Sequence, residues 1–391
     1  MNKNYMNDQF TKVFGKPAEK TFFSPGRVNL IGEHTDYNGG HAFPCALSFG
    51  TYSAASKRND STVRLISGNF SIVCEINISN ADKIIYEESH NWANYPKGVI
   101  LEMLKLGHKI SGFDLYIWGD IPSGAGLSSS ASVEMLTATT INGLFDCKIP
   151  TKELVLLSRR AENSFVGVNC GVMDQYAVGF GKPEHAILLD CQAVSHKDVP
   201  LVLGDYLIMI TNTNNSRSLA ASEYNQRRSE CESALAILQK KAACKVEFLC
   251  ELDIPTFERH KHLIKDETLL KRATHVVHEN ARTVKAVDLL NAGDLAAFGK
   301  LMNESHISLR DLYEVTGNHL DALAAAAWQV DGVLGSRMTG AGFGGCTVSI
   351  VHKNSVDTFQ KTVAEIYQKE TGLKASFYVA KVGAGAGEIF G

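Results

Sequence analysis

The sequence predicts an α+β protein of two domains, and three observations carry that expectation. Its 391 residues exceed a single domain of roughly 100–200. Strand-like segments gather in about the first 120 residues, and helical periodicity dominates from 217 to about 335. Strands and helices therefore come in clusters, not in the strict alternation of a parallel α/β fold.

Along the chain, VNLI, TVRLI, FSIVCEI and FDLYIW read as β-rich segments. ASVEMLTATTINGLF, 131–145, follows a Gly/Ser loop and reads as a helix. A second helix over 151–166 follows Pro150, with Thr151 as its N-cap. AILLD (186–190) and DYLIMITNT (205–213) read as buried strands, and 217–335 as mostly helix. CTVSIVHK alternates like a half-buried strand. NSVDTFQKTVAEIYQKETG reads as a helix ending near Gly372, and ASFYVAKV as a last strand. The tail GAGAGEIFG reads as a flexible end. The domains are expected at 1–195 and 196–391, a division that no Pro/Gly/Ser linker marks.

Composition excludes several classes. The chain is 45% hydrophobic and 21% charged, so a sizeable core is available. A net charge of −3 gives no electrostatic footprint for nucleic acid. Nine cysteines, none spaced C-x-x-C, fit reduced thiols better than a disulfide framework or a zinc ribbon. The polar start MNKNYMNDQFTKVFGK has no apolar core of a secretory signal. LAAAAWQVDGVLG comes nearest to a membrane span and is broken by Gln329 and Asp331. A soluble cytoplasmic protein with no nucleic-acid or membrane partner is expected, and a monomer.

Chemistry concentrates in a few stretches. GDIPSGAGLSSSAS, 119–132, joins a strand-like run to a helix through Gly119, Gly124 and Gly126. Glycines allow close approach of backbone to ligand, and the free N–H groups of a helix start favour an anion. A nucleotide phosphate suits this loop; a plain Gly/Ser connection is the other reading. Neither the P-loop pattern nor the early G-x-G-x-x-G of dinucleotide folds is present. RMTGAGFGGCTVSIV, 337–351, packs against a ligand or loop, or is a bulged hairpin. Glu162 and Asp174 lie in mostly uncharged surroundings. Phosphoryl transfer needs a group for the acceptor hydroxyl, a metal ion and a cation. Asp174, a magnesium ion held by Glu162, and Arg27 fill these parts, and surface ion pairs are the alternative for each. His34 and His41 lack the converging partners of a transition-metal site, so His34 reads as a hydrogen-bonding residue. Tyr224 lies among arginines in SRSLAASEYNQRRSE.

GRVNLIGEHTDYNGG, GDIPSGAGLSSSAS, CGVMDQ, SLAASEYNQRR and MTGAGFGGCTV, in this order, resemble the motifs of the GHMP small-molecule kinases, and the first resembles the galactokinase signature. The resemblance covers most of the chain. It implies an N-terminal domain like the second domain of ribosomal protein S5, a ferredoxin-like C-terminal domain, and an active site in the cleft between them. It also implies ATP-dependent phosphorylation of the anomeric hydroxyl of galactose to α-galactose 1-phosphate, the first committed step of galactose catabolism, with Mg²⁺ as cofactor. Carried onto this sequence, Glu33, His34, Thr35, Asp36, Asp174 and Tyr224 bind the sugar. Gly124, Ala125, Gly126, Leu127, Ser128, Ser129 and Ser130 wrap the ATP phosphates, and Ser67 contacts the nucleotide. Ser130 and Glu162 hold magnesium, Asp174 is the catalytic base and Arg27 stabilises the transition state. Some relatives are instead galactose- and ATP-binding sensors without turnover, with an altered serine loop; here GLSSSAS is intact. A kinase of another sugar, such as N-acetylgalactosamine, is the remaining alternative.

Overall fold

The computed structural model describes residues 3–122, 125–215, 220–242 and 245–389. Its strands are β1 (Lys20–Asn29), β2 (His41–Ala42), β3 (Pro44–Lys57), β4 (Thr62–Ser67), β5 (Val73–Asn77), β6 (Phe113–Gly119), β7 (His185–Asp190), β8 (Ser195–Pro200), β9 (Tyr206–Asn212), β10 (Val333–Thr339), β11 (Cys346–His352), β12 (Ser376–Ala380) and β13 (Gly387–Glu388). The α-helices are α1 (Lys3–Phe14), α2 (Asn94–Lys105), α3 (Ser129–Leu144), α4 (Thr151–Ala161), α5 (Met173–Phe180), α6 (Ala220–Lys241), α7 (Ile254–His260), α8 (Glu267–Asn291), α9 (Leu295–Ser308), α10 (Gly317–Trp328) and α11 (Val356–Thr371). The α+β class expected from the sequence is the one observed.

A six-stranded mixed sheet, ordered β13-β1-β3-β6-β4-β5, forms the first lobe, and β4–β6 is its parallel pair. Helix α3 packs on β1 and β3 and touches α2, α4 and α5. It is buried nearly all round, by apolar and polar residues alike: Ala131, Met135, Ala138 and Ile141 are fully buried, and so are Ser132, Glu134, Thr137 and Thr140. The sequence did not reveal β3 because hydroxyls replace hydrophobes on the face it turns to α3. Thr51 pairs with Ser132 and Ser53 with Thr140, each at 2.8 Å, which satisfies these buried polar groups.

The second lobe holds the antiparallel sheet β10-β11-β9-β12 and most of the later helices. Val28, Leu30 and Ile31, at the end of β1 and just beyond it, are fully buried. They share one buried cluster with Phe298, Met302, Ile210 and Val348 of the second lobe. The end of β1 is thereby fixed against both lobes, and that is the stretch from which the site is built.

Two local expectations need correction. Pro150, without a side-chain hydrogen bond, is the N-cap of α4, and Thr151 is its first helical residue. The glycine-rich tail is not a free end over its described length. Gly383 donates to the Ala46 carbonyl, Gly385 to Gly181, Ala386 to Val178 and Ile389 to Thr21, at 2.7–2.9 Å. Phe22 and Phe23 of β1 pair with Glu388 and Gly387, and Lys20 meets the Glu388 carboxylate at 2.9 Å. Small residues are needed here because the chain runs close to other backbone: a Cβ on Gly385 would lie 2.5 Å from the Gly179 carbonyl.

Candidate active site

The three glycine-bearing motifs meet where the lobes meet. Gly340, at φ +84° in the β10–β11 connection, would bring a Cβ to 2.9 Å from the Gly126 carbonyl. The Gly340 N–H donates to Glu33 Oε1 at 2.7 Å. The segment is thus both a hairpin and a partner for the other loops, so its two readings from sequence hold together.

Arg27 organises the centre. A β-bulge between Pro25 and Arg27 re-aims β1 at this point. The Arg27 N–H donates to the Leu127 carbonyl at 3.1 Å, and Nη1 donates to the Gly126 carbonyl at 2.8 Å. Nε and Nη2 reach the two oxygens of Asp174 at 2.8 Å each, a bidentate fork of the strong kind. Asp174 sits in the first turn of α5, where the helix dipole favours its charge, and accepts a further hydrogen bond from Ser128 Oγ at 2.5 Å.

These groups line a cavity of about 330 Å³ with Glu33, His34, Asp36, Ser129, Ser130, Glu162 and Tyr224. Burial, and next the nearby charge of Asp174, push the Asp36 carboxyl up to about 7. Burial likewise raises Glu33, against the opposing pull of Arg337 and Arg27. His34 is held near 3 by burial and by His275, so it is neutral. Its tautomer follows from its neighbours. Nε2 lies 3.1 Å from the Ala341 carbonyl, which only accepts; Nε2 therefore carries the proton, and Nδ1 accepts from Tyr37 Oη at 2.8 Å. Tyr37 in turn accepts from Tyr313 Oη at 2.8 Å. Both nitrogens of His34 are engaged within the protein, and its ring lies tilted against Tyr313 and Tyr224, with centroids 4.7 and 5.6 Å away.

A second cavity of about 320 Å³ adjoins the first, and Tyr95, Ser129 and Ser130 line both. Ser67 lines the second, beside Asn69, Phe70, Asn91 and Trp92. The start of α3 thus stands between two chambers, with its unpaired N–H groups at the junction.

Three expected residues are placed otherwise, and one lies outside the described residues. Thr35 Oγ1 donates to the Gly32 and His41 carbonyls at 2.9 and 2.8 Å; it shapes the loop from behind and does not line the cavity. Ala125 and Leu127 belong to the core shared by the lobes, so their side chains anchor the loop while Gly126 and Ser128 face the cavity. Gly124 is the residue outside.

Comparison with known proteins agrees with this geometry. The galactokinase galactose-binding signature matches residues 8–57, the GHMP kinases N terminal domain 94–182 and the GHMP kinases C terminal domain 286–369. The galactokinase of Clostridium tetani is 52% identical, over 100% of this chain and 98% of that one. That of Fusobacterium nucleatum is 53% identical over 100% of both. The chain belongs to the galactokinase family. A crystal structure of Lactococcus lactis galactokinase complexed with galactose matches at a TM-score of 0.95 and 46% identity over 99% of both chains. The Methanococcus jannaschii mevalonate kinase matches at a TM-score of 0.64 and 18% identity, over 93% of this chain and 98% of that one, and shares the fold. The two-domain GHMP kinase fold expected from the motifs is therefore the fold of this galactokinase-family chain.

Sequence reasoning missed several members of the site. Asn91 and Trp92 of the second chamber carry no motif. Tyr37 lies inside the signature, but its position in the sequence does not show its hydrogen bond to His34. Glu134 and Gln175, both fully buried, stand next to motif residues, Glu134 one helical turn after Ser130 and Gln175 directly after Asp174, but that spacing does not show that they meet.

Proposed function

We propose that this protein transfers the γ-phosphoryl group of ATP to the anomeric hydroxyl of galactose, giving α-galactose 1-phosphate and ADP. The observation that carries the reading is the Arg27–Asp174 fork at 2.8 Å, set in the first of two chambers that adjoin at Ser129 and Ser130, in a chain about half identical to galactokinases over its whole length.

In this reading the first chamber takes the sugar and the second the nucleotide. Glu33, Asp36 and Tyr224 offer fixed hydrogen-bond partners to sugar hydroxyls, and a site built this way rejects sugars that leave those partners unpaired. Asp174 orients the anomeric hydroxyl and receives its proton as the oxygen bonds to phosphorus and the bond to ADP breaks. Arg27 stabilises charge on the transferring group. Ser129 and Ser130, with the backbone N–H groups of the α3 start, hold phosphate oxygens. His34, with both nitrogens engaged, steadies the wall of the sugar chamber through Ala341 and Tyr37.

Ser130 and Glu162 suit a magnesium ion. Both supply hard oxygen; the hydrogen-bond partners of Glu162, namely Gln175, Cys170 and Ser130, are all neutral, while burial and the nearby charge of Asp174 disfavour its charged form, an imbalance that a cation beside it would relieve. Among the described residues no group of three or more His, Cys, Asp or Glu gathers for a metal. A two-residue site matches an ion that keeps its remaining positions for phosphate and water. When bound, magnesium neutralises charge on the phosphate oxygens.

Among the described residues no helix is long and apolar enough to cross a membrane. In this reading the enzyme works as a cytoplasmic monomer, with its lobes dividing at 195/196. The test is ATP consumption across a panel of sugars that includes galactose and N-acetylgalactosamine. Galactose-dependent ADP release is expected; its absence in wild-type protein that binds both substrates would end the reading.

A further inference from the structure

We propose that Gln175 is a positioning residue for the metal-facing carboxylate, holding Glu162 beside Ser130 through a carboxamide that it shares with Glu134. The proposal rests on the role assigned to Glu162 above.

Helix α5 presents two adjacent polar residues in different directions. Asp174 points to the cavity and Arg27; Gln175 points into the core, where it is fully buried. The single nitrogen of Gln175 donates to Glu162 Oε2 at 2.6 Å and to Glu134 Oε2 at 2.9 Å. In this orientation the nitrogen serves both carboxyl groups, while Gln175 Oε1 and Glu134 Oε1 are buried without a partner among the described residues. Three helical elements converge on this nitrogen: α3 brings Glu134, the π-turn Glu162–Val166 that follows α4 brings Glu162, and α5 brings Gln175. Ser130 and Glu134 are four residues apart on α3 and so share a face. A hydrogen bond from Cys170 Sγ also falls on Glu162 Oε2, at 3.3 Å.

The arrangement has a physical purpose. Two buried carboxyl groups side by side repel and are poorly solvated. One N–H to each relieves both and leaves each with a single orientation. Glu134 lines neither chamber, so its contribution is to hold Gln175, and Gln175 holds Glu162. Such outer partners commonly set metal affinity. A leucine at 175 keeps the bulk but lets the Glu162 carboxylate rotate.

The probe is Mn²⁺, titrated by electron paramagnetic resonance against full-length protein with ADP, with galactose affinity measured separately by calorimetry without metal or nucleotide. Gln175→Leu is expected to weaken Mn²⁺ binding by about 10- to 100-fold and to leave galactose affinity unchanged. Equal Mn²⁺ affinity in Gln175→Leu and wild type overturns the proposal. If that variant also loses galactose, the pair Glu134→Gln and Glu134→Leu decides. The first keeps an acceptor for Gln175 and retains Mn²⁺, whereas the second weakens it; equal affinities overturn the proposal. Glu162→Ala separates the two levels: wild-type Mn²⁺ affinity there removes the metal reading itself and the proposal with it.

Discussion

Arg27 and Asp174 meet edge to edge, Nε on Oδ1 and Nη2 on Oδ2, although 147 positions separate them in the chain. Lysine cannot reproduce this planar fork. Arg27→Lys should lower kcat by about 10²- to 10³-fold, the usual cost of losing a donor aimed at developing charge. Asp174→Ala should lower kcat by about 10²- to 10⁴-fold while keeping the wild-type circular dichroism spectrum. A coupled ADP assay measures both.

Asp36 provides the pH signature. Its carboxyl is raised from an ordinary value of 3.8 to about 7 in the folded protein. The folded state therefore binds this proton more tightly than the unfolded chain, and stability from this group falls as pH rises from about 4 to about 7. Asp36→Asn should melt at a higher temperature than wild type, with the gain growing across that window and level above it. The same variant should lose galactose affinity at pH 8. In wild type, affinity should rise through pH 7, with His34, near 3, silent. Melting curves and calorimetry at pH 5, 7 and 8 check the pattern.

Gly340 and Gly372 separate two roles of left-handed backbone. Gly340 has φ +84° and meets the Gly126 carbonyl, whereas Gly372 has φ +76° and nothing within 4 Å of an added Cβ. Gly340→Ala should cost about 1–3 kcal/mol in urea unfolding and raise KM for both substrates. Gly372→Ala should cost about 1–2 kcal/mol and leave both KM values alone.

Ending the chain after Val382 removes the backbone hydrogen bonds to Ala46, Gly181, Val178 and Thr21, together with the pairing of β13 on β1 and the Lys20–Glu388 ion pair. At about 1 kcal/mol for each hydrogen bond, the loss should be at least about 4 kcal/mol. Because β1 carries Arg27, and Gly181 and Val178 lie at the far end of α5 from Asp174, kcat should fall as well. Denaturant unfolding and the ADP assay on the shortened chain test this.

What the sequence made legible follows a physical divide. α11 was visible through its period and β9 through its apolar run; β11 was found as a strand, but not as the half-buried one its alternation suggested, because Cys346 to Val351 are buried on both faces of the sheet. β3 was hidden because its burial is achieved with Thr51, Ser53 and small residues that mate with hydroxyls on α3. The tail looked free because glycines signal mobility when their partners are unknown. Arg27, Asp36, Asp174 and Ser130 were found through their motifs, and the structure brings them to one cavity. Thr35 stands in the same motif, but its hydroxyl is already committed to two carbonyls, which no spacing reveals. Gln175 and Glu134 meet only when three helices converge, a fact of tertiary packing.

The bond between Lys20 and Glu388 spans 368 positions. At roughly 5–20 residues per second of translation, β1 leaves the ribosome tens of seconds before the strand that covers its outer edge. For that interval a nascent chain carries an open β-edge beside its neighbours on the same messenger, the kind of template on which strands from different chains pair wrongly.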